Sequence, residues 1–281
     1  MAANERFRLP YGWLPALPAA LTALALPFAT SSASTQINDR CPRLVSALPS
    51  PLQKVSLRFA QKKAEPSVNL TFVGHSTFLI ESAGGVKIAT DYNDYVRPEV
   101  IPDIATMNRA HSTHYTLAPD PAIKHVLRGW GEGETPAKHE LEFGDVYVRN
   151  IPTNIRDWAG GTIYSQNSIF VFEIAGLCIA HLGHLHHTLT PAHLDAMGRI
   201  DVVLVPVDGS FTLNTDGMVE VLKQIDAPVA IPMHMFGEGT LQRFLEKMNK
   251  IYEVQRHPSA SIMLSRATLP RSRTMIVLPG R

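Results

Sequence analysis

The feature that most constrains this chain is how its apolar residues are dealt out: in short runs of strand length, the later ones almost unbroken. Residues 168–173 (SIFVFE), 177–180 (LCIA), 202–206 (VVLVP) and 229–232 (VAIP) show little of the alternation expected of a strand with one wet face. Runs of this kind belong to strands covered on both sides, so the fold must stack layers against a sheet.

The earlier runs 69–73 (NLTFV), 76–80 (STFLI) and 86–90 (VKIAT) are separated by Gly74-His75 and by a Gly84-Gly85 turn, and 146–151 (VYVRNI) is a further strand. This opening predicts a β-meander. Helices fit between the later runs. Thr190 followed by Pro191 opens one over 191–197, Asp216 is placed to cap another over 218–225, and 239–250 carries Leu241, Phe244, Leu245 and Met248 on one face. Strands first and helices alternating only later point to an α/β sandwich of two sheets.

Ten of the 12 histidines lie between residues 111 and 234, several of them clustered: His111 and His114, then His181, His184, His186 and His187, then His234. Histidines so far apart in sequence converge only if strand ends bring their loops together, and neutral imidazole is the commonest protein ligand for zinc and related metals.

The rest of the composition excludes more than it assigns. With 26 basic and 25 acidic side chains the formal charge is +1, and no basic run is long enough to follow a phosphate backbone, so nucleic acid is not an expected partner. Residues 1–33 have a signal-peptide layout: Arg6 and Arg8, an apolar stretch 13–29, then Ser31, Ser32 and Ala33. Export to the periplasm or medium follows, with no stable membrane insertion after cleavage. An uncleaved anchor or a Pro/Ala-rich tail is the alternative, because Pro15, Pro18 and Pro27 interrupt the stretch. Residues 34–67 read as an extension or linker, and the folded domain is expected over 68–281. Cys41 and Cys178 give no disulfide framework, and Cys178, within LCIA, reads as a buried core thiol.

Taken in order, 72–80 (FVGHSTFLI), 88–91 (IATD), the loop 109–114, 179–183 (IAHLG), 201–206 (DVVLVP) and 231–234 (IPMH) resemble the metallo-β-lactamase superfamily, in its lactonase-like and phosphodiesterase-like branch, over roughly 69–255. The resemblance implies a four-layer αβ/βα sandwich of two mixed β-sheets flanked by helices, with the site at the sheet edges. The family loop H-x-H-x-D-H here reads Arg109-Ala-His111-Ser-Thr113-His114. Asn154, His184 and His234 stand at the later ligand positions.

The first metal position of such a pair is therefore expected to be weak, drawing on Arg109, His111 and Asn154. His114, His184 and His234 are expected to hold one ion, zinc before iron or manganese, with water in the fourth place. Arg109 is a candidate fixed positive charge, and Asp91 a candidate carboxylate behind a ligand histidine. Thr113 cannot replace the family aspartate as a proton acceptor, which leaves His111, His186 or His187 for that role. His181 reads as structural, His75 as a residue behind the ligands, and Trp130 and Trp158 as pocket lining or packing.

The function this implies is hydrolysis of an ester, lactone or phosphodiester in a small-molecule substrate by metal-activated hydroxide. The rivals are a member of the fold that binds a metal or small ligand without hydrolysis, and an envelope interaction protein that uses residues 34–67. Oligomeric state leaves no sequence signal.

Overall fold

The computed structural model describes residues 41, 65–133 and 135–280; the signal-like residues 1–33 and most of the extension lie outside the described residues. Strands β1 (Val68–Gly74), β2 (Thr77–Ser82) and β3 (Lys87–Ala89) form the expected antiparallel meander. To it β4 (Ile104–Met107) and β5 (His125–Arg128) add in parallel.

A second sheet begins with β6 (Glu140–Phe143), β7 (Val146–Arg156), β8 (Thr162–Ile174) and β9 (Leu177–His181), all antiparallel. It continues in parallel through β10 (Val202–Pro206) and β11 (Val229–Met233). Of the last strands, β12 (Glu253–Arg256) and β14 (Thr274–Val277) extend this sheet, while β13 (Ser261–Leu264) returns to pair with β1. The result is a six-stranded sheet, β13-β1-β2-β3-β4-β5, and an eight-stranded one, β12-β14-β11-β10-β9-β8-β7-β6.

Strand β10 shows why the later runs are unbroken. Val202 and Leu204 face the core between the sheets, with Phe78, Ile80, Phe170 and Ile231. Val203 and Val205 face the other way, into a second core built with Met218, Leu241 and Phe244 of the helices. Both faces of the strand are dry, as continuous apolar character requires.

Helices α1 (Pro191–Met197), α2 (Thr215–Ile225) and α3 (Glu238–Met248) all supply that second core. On the outer face of the six-stranded sheet, Ala89, Ala105 and Met107 are covered instead by Tyr92, Ile123 and neighbouring loop residues. The two-sheet sandwich is as expected; among the described residues its helical layer lies on one sheet.

Two local expectations are corrected. Helix α2 is capped not by Asp216 but by Asn214, whose Oδ1 accepts the Gly217 N–H at 2.9 Å, and Asp216 sits in the first turn paired with Lys247. Asp216 adjoins the apolar pattern, which starts about one turn inside the real helix end. Cys178 is not a free core thiol but half of a cystine with Cys41, 137 residues away, with Cα atoms 6.0 Å apart. The strands β4–β6 and β12–β14 did not stand out in the sequence because each is only four residues long.

Replacing the α2 cap, Asn214→Ala, is expected to lower unfolding free energy by about 1 kcal/mol, read as a lower urea midpoint at unchanged m-value, whereas Asp216→Ala has a smaller effect.

Candidate metal centre

Each of the clustered histidines follows the carboxyl end of a strand. β4 ends at Met107, and the turn after it, closed by His114 N–H to His111 O at 2.9 Å and Asn108 N–H to His114 O at 3.1 Å, carries His111, Thr113 and His114. β9 ends at His181, and Gly183 makes the sharp turn to His184. Gly183 has φ +59°, and a Cβ there would lie 2.4 Å from Asn108 Nδ2 and 2.6 Å from Asn167 Oδ1, so only glycine fits. β11 ends at Met233, and His234, at φ +53°, is pinned by its N–H to His75 O at 2.6 Å.

One ring nitrogen each from His111, His114, His184 and His234 falls within a span of 4.8 Å. His111 Nε2 and His184 Nε2 are 2.9 Å apart, and His114 Nε2 and His234 Nε2 3.2 Å. Four ligand nitrogens set tetrahedrally about zinc at ~2.1 Å stand roughly 3.4 Å apart, so this cluster needs only small movements to hold one ion. The structure thus brings His111 beside the other three, within the same 4.8 Å span.

What stands behind the rings fixes their orientation. His114 Nδ1 lies 2.6 Å from Asp91 Oδ2, and Asp91 Oδ1 accepts from Asn108 Nδ2 at 3.0 Å. His234 Nδ1 lies 3.0 Å from Asp208 Oδ1, close enough for charge contact though not aligned as a hydrogen bond. Asp208 in turn accepts from Ser210, Phe211 and Thr212. Carboxylates in such places set ring orientation and raise ligand basicity.

His184 is backed differently, by His186 Nε2 at 2.5 Å from its Nδ1. Because His186 Nδ1 accepts the Arg156 N–H at 2.8 Å, the neutral His186 ring carries its proton on Nε2 and donates to His184. As the rings stand, the proton of neutral His184 faces His111; ligation through His184 Nε2 takes the other tautomer, with the proton on Nδ1 and the contact to His186 re-paired.

Electrostatics favours the neutral, ligand-competent rings. Burial first, then repulsion from neighbouring histidines, lowers the pKa of His114 and His184 well below the usual imidazole value and lowers that of His111. Burial likewise brings His75 and His186 to about 4. Asp208 is held below the ordinary carboxylate range: burial raises its pKa, but His234 and Thr212 more than offset this. Buried Asp91 is pushed up, chiefly by desolvation. A donor set of neutral imidazoles suits a transition-metal ion such as zinc or iron better than manganese, which favours oxygen donors.

The other residues singled out by sequence fall in varied places. Arg109 is exposed, its backbone N–H bonded to Gln166 O. Asn154 lies in β7, where its Oδ1 accepts the Ser165 N–H. His181, on β9, is fully buried and bonded to Ser76 O. Thr113 Oγ1 bridges His111 Nδ1 at 2.8 Å and His75 Nε2 at 3.0 Å. Trp130 packs on Tyr115, while Trp158 stands 98% exposed beside the cleft. His187 lies beyond His186, and His125, His139, His193 and His257 make local contacts elsewhere. Asp208 was missed by sequence reasoning; its signal was its place just past the end of β10, on the same sheet edge as His184 and His234.

Residues 69–234 match the model of the β-lactamase superfamily domain. The chain belongs to the metallo-β-lactamase superfamily. A UPF0173 protein of Pyrococcus furiosus is 25% identical over 201 residues, covering 65% of this chain and 91% of that protein. A UPF0173 metal-dependent hydrolase of Thermoplasma acidophilum is 29% identical over 156 residues, 50% of this chain and 68% of the relative. Among solved structures, a proposed zinc-dependent hydrolase of the superfamily from Thermotoga maritima superposes with TM-score 0.54 at 28% identity, over 76% of this chain and 100% of that one. The metallo hydrolase Igni18 of Ignicoccus hospitalis shares the fold, with TM-score 0.51 at 16% identity over 71% of this chain and 99% of that one. By class the chain is a metal-dependent hydrolase.

Two outcomes follow from this geometry. Asp91→Asn is expected to weaken zinc binding about 10–100-fold in competition with a chromophoric chelator; unchanged affinity would show that Asp91 does not support His114. The second concerns acid. Unfolded histidine takes up a proton near 6.5, whereas folded His75 and His186 resist until about 4, and burial holds His114 and His184 well below the usual imidazole value as well. Below pH 6.5 the unfolded chain thus binds more protons, and stability falls as pH drops. The Tm of metal-free protein should decline steadily from pH 7 to about 4.5; a Tm equal or higher at pH 5 would contradict neutral burial.

Proposed function

We propose that this chain is a mononuclear hydrolase, with zinc as its ion, that cleaves an ester, lactone or phosphodiester bond of a small molecule. The observation that carries this reading is the convergence of His111, His114, His184 and His234 within 4.8 Å at the wall of an open cleft. When bound, the metal supplies a Lewis acid for the scissile group and activates a water.

The residues divide by burial. His114, His184 and His234 are at most 2% exposed and are the holding set, oriented from behind by Asp91, His186 and Asp208. His111 is half-buried and lines the cleft, where a substrate reaches it. Its Nδ1 continues through Thr113 Oγ1 to His75 Nε2, so a proton taken up at the ring has a hydrogen-bonded route out of the cluster. His111 thus fills the proton-acceptor place that Thr113 cannot, leaving three imidazoles to hold the ion and one position open, the arrangement of catalytic zinc sites.

A second reading, a metal-binding protein without hydrolysis, is favoured by the presence of a fourth imidazole among the converging donors. If all four rings ligate, no position stays open.

We further infer export. The cystine of Cys41 and Cys178 belongs to an oxidising compartment, in keeping with the signal-like residues 1–33.

Protein purified without chelator is expected to carry about one zinc per chain, reduced well below half in His184→Ala and in His234→Ala, and to hydrolyse members of an ester, lactone and phosphodiester panel. His111→Ala should keep most of its metal while losing kcat about 100-fold or more. Full metal without hydrolysis of any panel member establishes the binding protein, and two zinc ions per chain would overturn the mononuclear site.

A further inference from the structure

Beside the histidine cluster opens a cleft of about 480 Å³ whose wall includes His111, His184, Ile155, Trp158, Ile163 and Phe211. Its rim is unusual for a surface in contact with water: Trp158 is 98% exposed, Phe211 49%, Ile163 42%, and Phe236 next to Phe211 57%. The rings of Phe211 and Phe236 meet at 5.3 Å, and Phe236 lies 5.2 Å from the ring of His234, so the apolar surface runs up to the reacting centre itself. Contiguous exposed apolar surface of this kind marks a place where something apolar binds.

The charged groups in the wall, Arg156 and Asp157, bond to the backbone around them. Arg156 Nη2 donates to the carbonyls of Thr212 at 2.8 Å and Ser210 at 3.4 Å. Asp157 Oδ1 accepts the N–H groups of Ala159 at 2.8 Å and Gly161 at 2.7 Å, closing the β7–β8 turn that displays Trp158. An anionic substrate would therefore meet an aromatic and aliphatic rim with one arginine whose Nη2 is turned to backbone carbonyls, where phosphodiester recognition calls for converging cationic forks.

We propose that the substrate is an uncharged carboxylic ester or lactone with an apolar acyl chain, which lies between Trp158 and Phe211 while its carbonyl meets the histidine cluster. This deepens, and rests on, the hydrolase reading above. In the reaction the oxygen of water joins the acyl carbon, the acyl C–O bond to the alcohol breaks, and a water proton ends on the departing alkoxide, with no oxidant or reductant required.

The test uses zinc-loaded full-length protein with p-nitrophenyl acetate, butyrate and octanoate, and with bis-p-nitrophenyl phosphate. The value of kcat/KM should rise at least about tenfold from acetate to octanoate and be lowest for the phosphodiester. Trp158→Ala and Phe211→Ala should each cut the octanoate-to-acetate ratio by about tenfold. In a second arm free of turnover, calorimetry on metal-free protein should find methyl octanoate bound at least about tenfold more tightly than methyl acetate, a difference lost in Trp158→Ala. A flat chain-length series, a preference for the phosphodiester, or ratios unmoved in both variants would overturn the apolar-acyl inference while leaving the hydrolase intact. Fully zinc-loaded protein inert toward every ester and phosphodiester would overturn the hydrolase reading, even if the calorimetric difference persisted.

Discussion

The buried carboxylate of Asp91 is the point from which the site is organised. It has no exposure to water, so it must be satisfied within the protein. Asn108 donates to one oxygen and His114 meets the other. Asn108 also accepts the Ser168 N–H of β8 through its own Oδ1 at 2.7 Å, so a single hydrogen-bonded chain joins the end of β3, the histidine loop after β4 and the opposite sheet. The need to pair one buried charge thus ties the two sheets together beside the metal ligands.

The remaining ligands arrive because β9, β10 and β11 run parallel. Their carboxyl ends fall on one edge, where His184, Asp208 and His234 leave the sheet in succession. Two left-handed turns, at Gly183 and His234, bend the chain inward at that edge. Strain of this kind persists where surrounding contacts over-determine it; at His234 the contact is the 2.6 Å hydrogen bond to His75 O. The apolar rim of the cleft belongs to a different layer of organisation: Trp158, Phe211 and Phe236 sit on loops that the sheet edge holds up, where specificity can vary without disturbing the ligands.

Much of this was legible before any coordinates. The unbroken runs of β8 to β11 announce strands buried on both faces, and Thr190-Pro191 marks the start of α1 as it stands. Histidines placed just beyond 177–180 and 229–232 mark two of the ligand loops. The strands of four residues and the Asn214 cap were not legible, because short elements take their identity from their neighbours more than from their own residues. Asp208 lacked a histidine-like flag: an aspartate before Gly209 reads as an ordinary turn until the strand edge places it against His234.

Sequence by itself carried the resemblance to the family, through motifs taken in order, and determined the two-sheet reading and the supply of imidazoles, because hydrophobic period and residue type are local properties written one position at a time. Only the tertiary structure decided that His111 shares a centre with His114, His184 and His234, that Asp208 and His186 stand behind them, and that Cys41 finds Cys178 across 137 residues. Those are distances between chain segments far apart in sequence, fixed by how the sheets stack and which strands run parallel, and no local pattern encodes them.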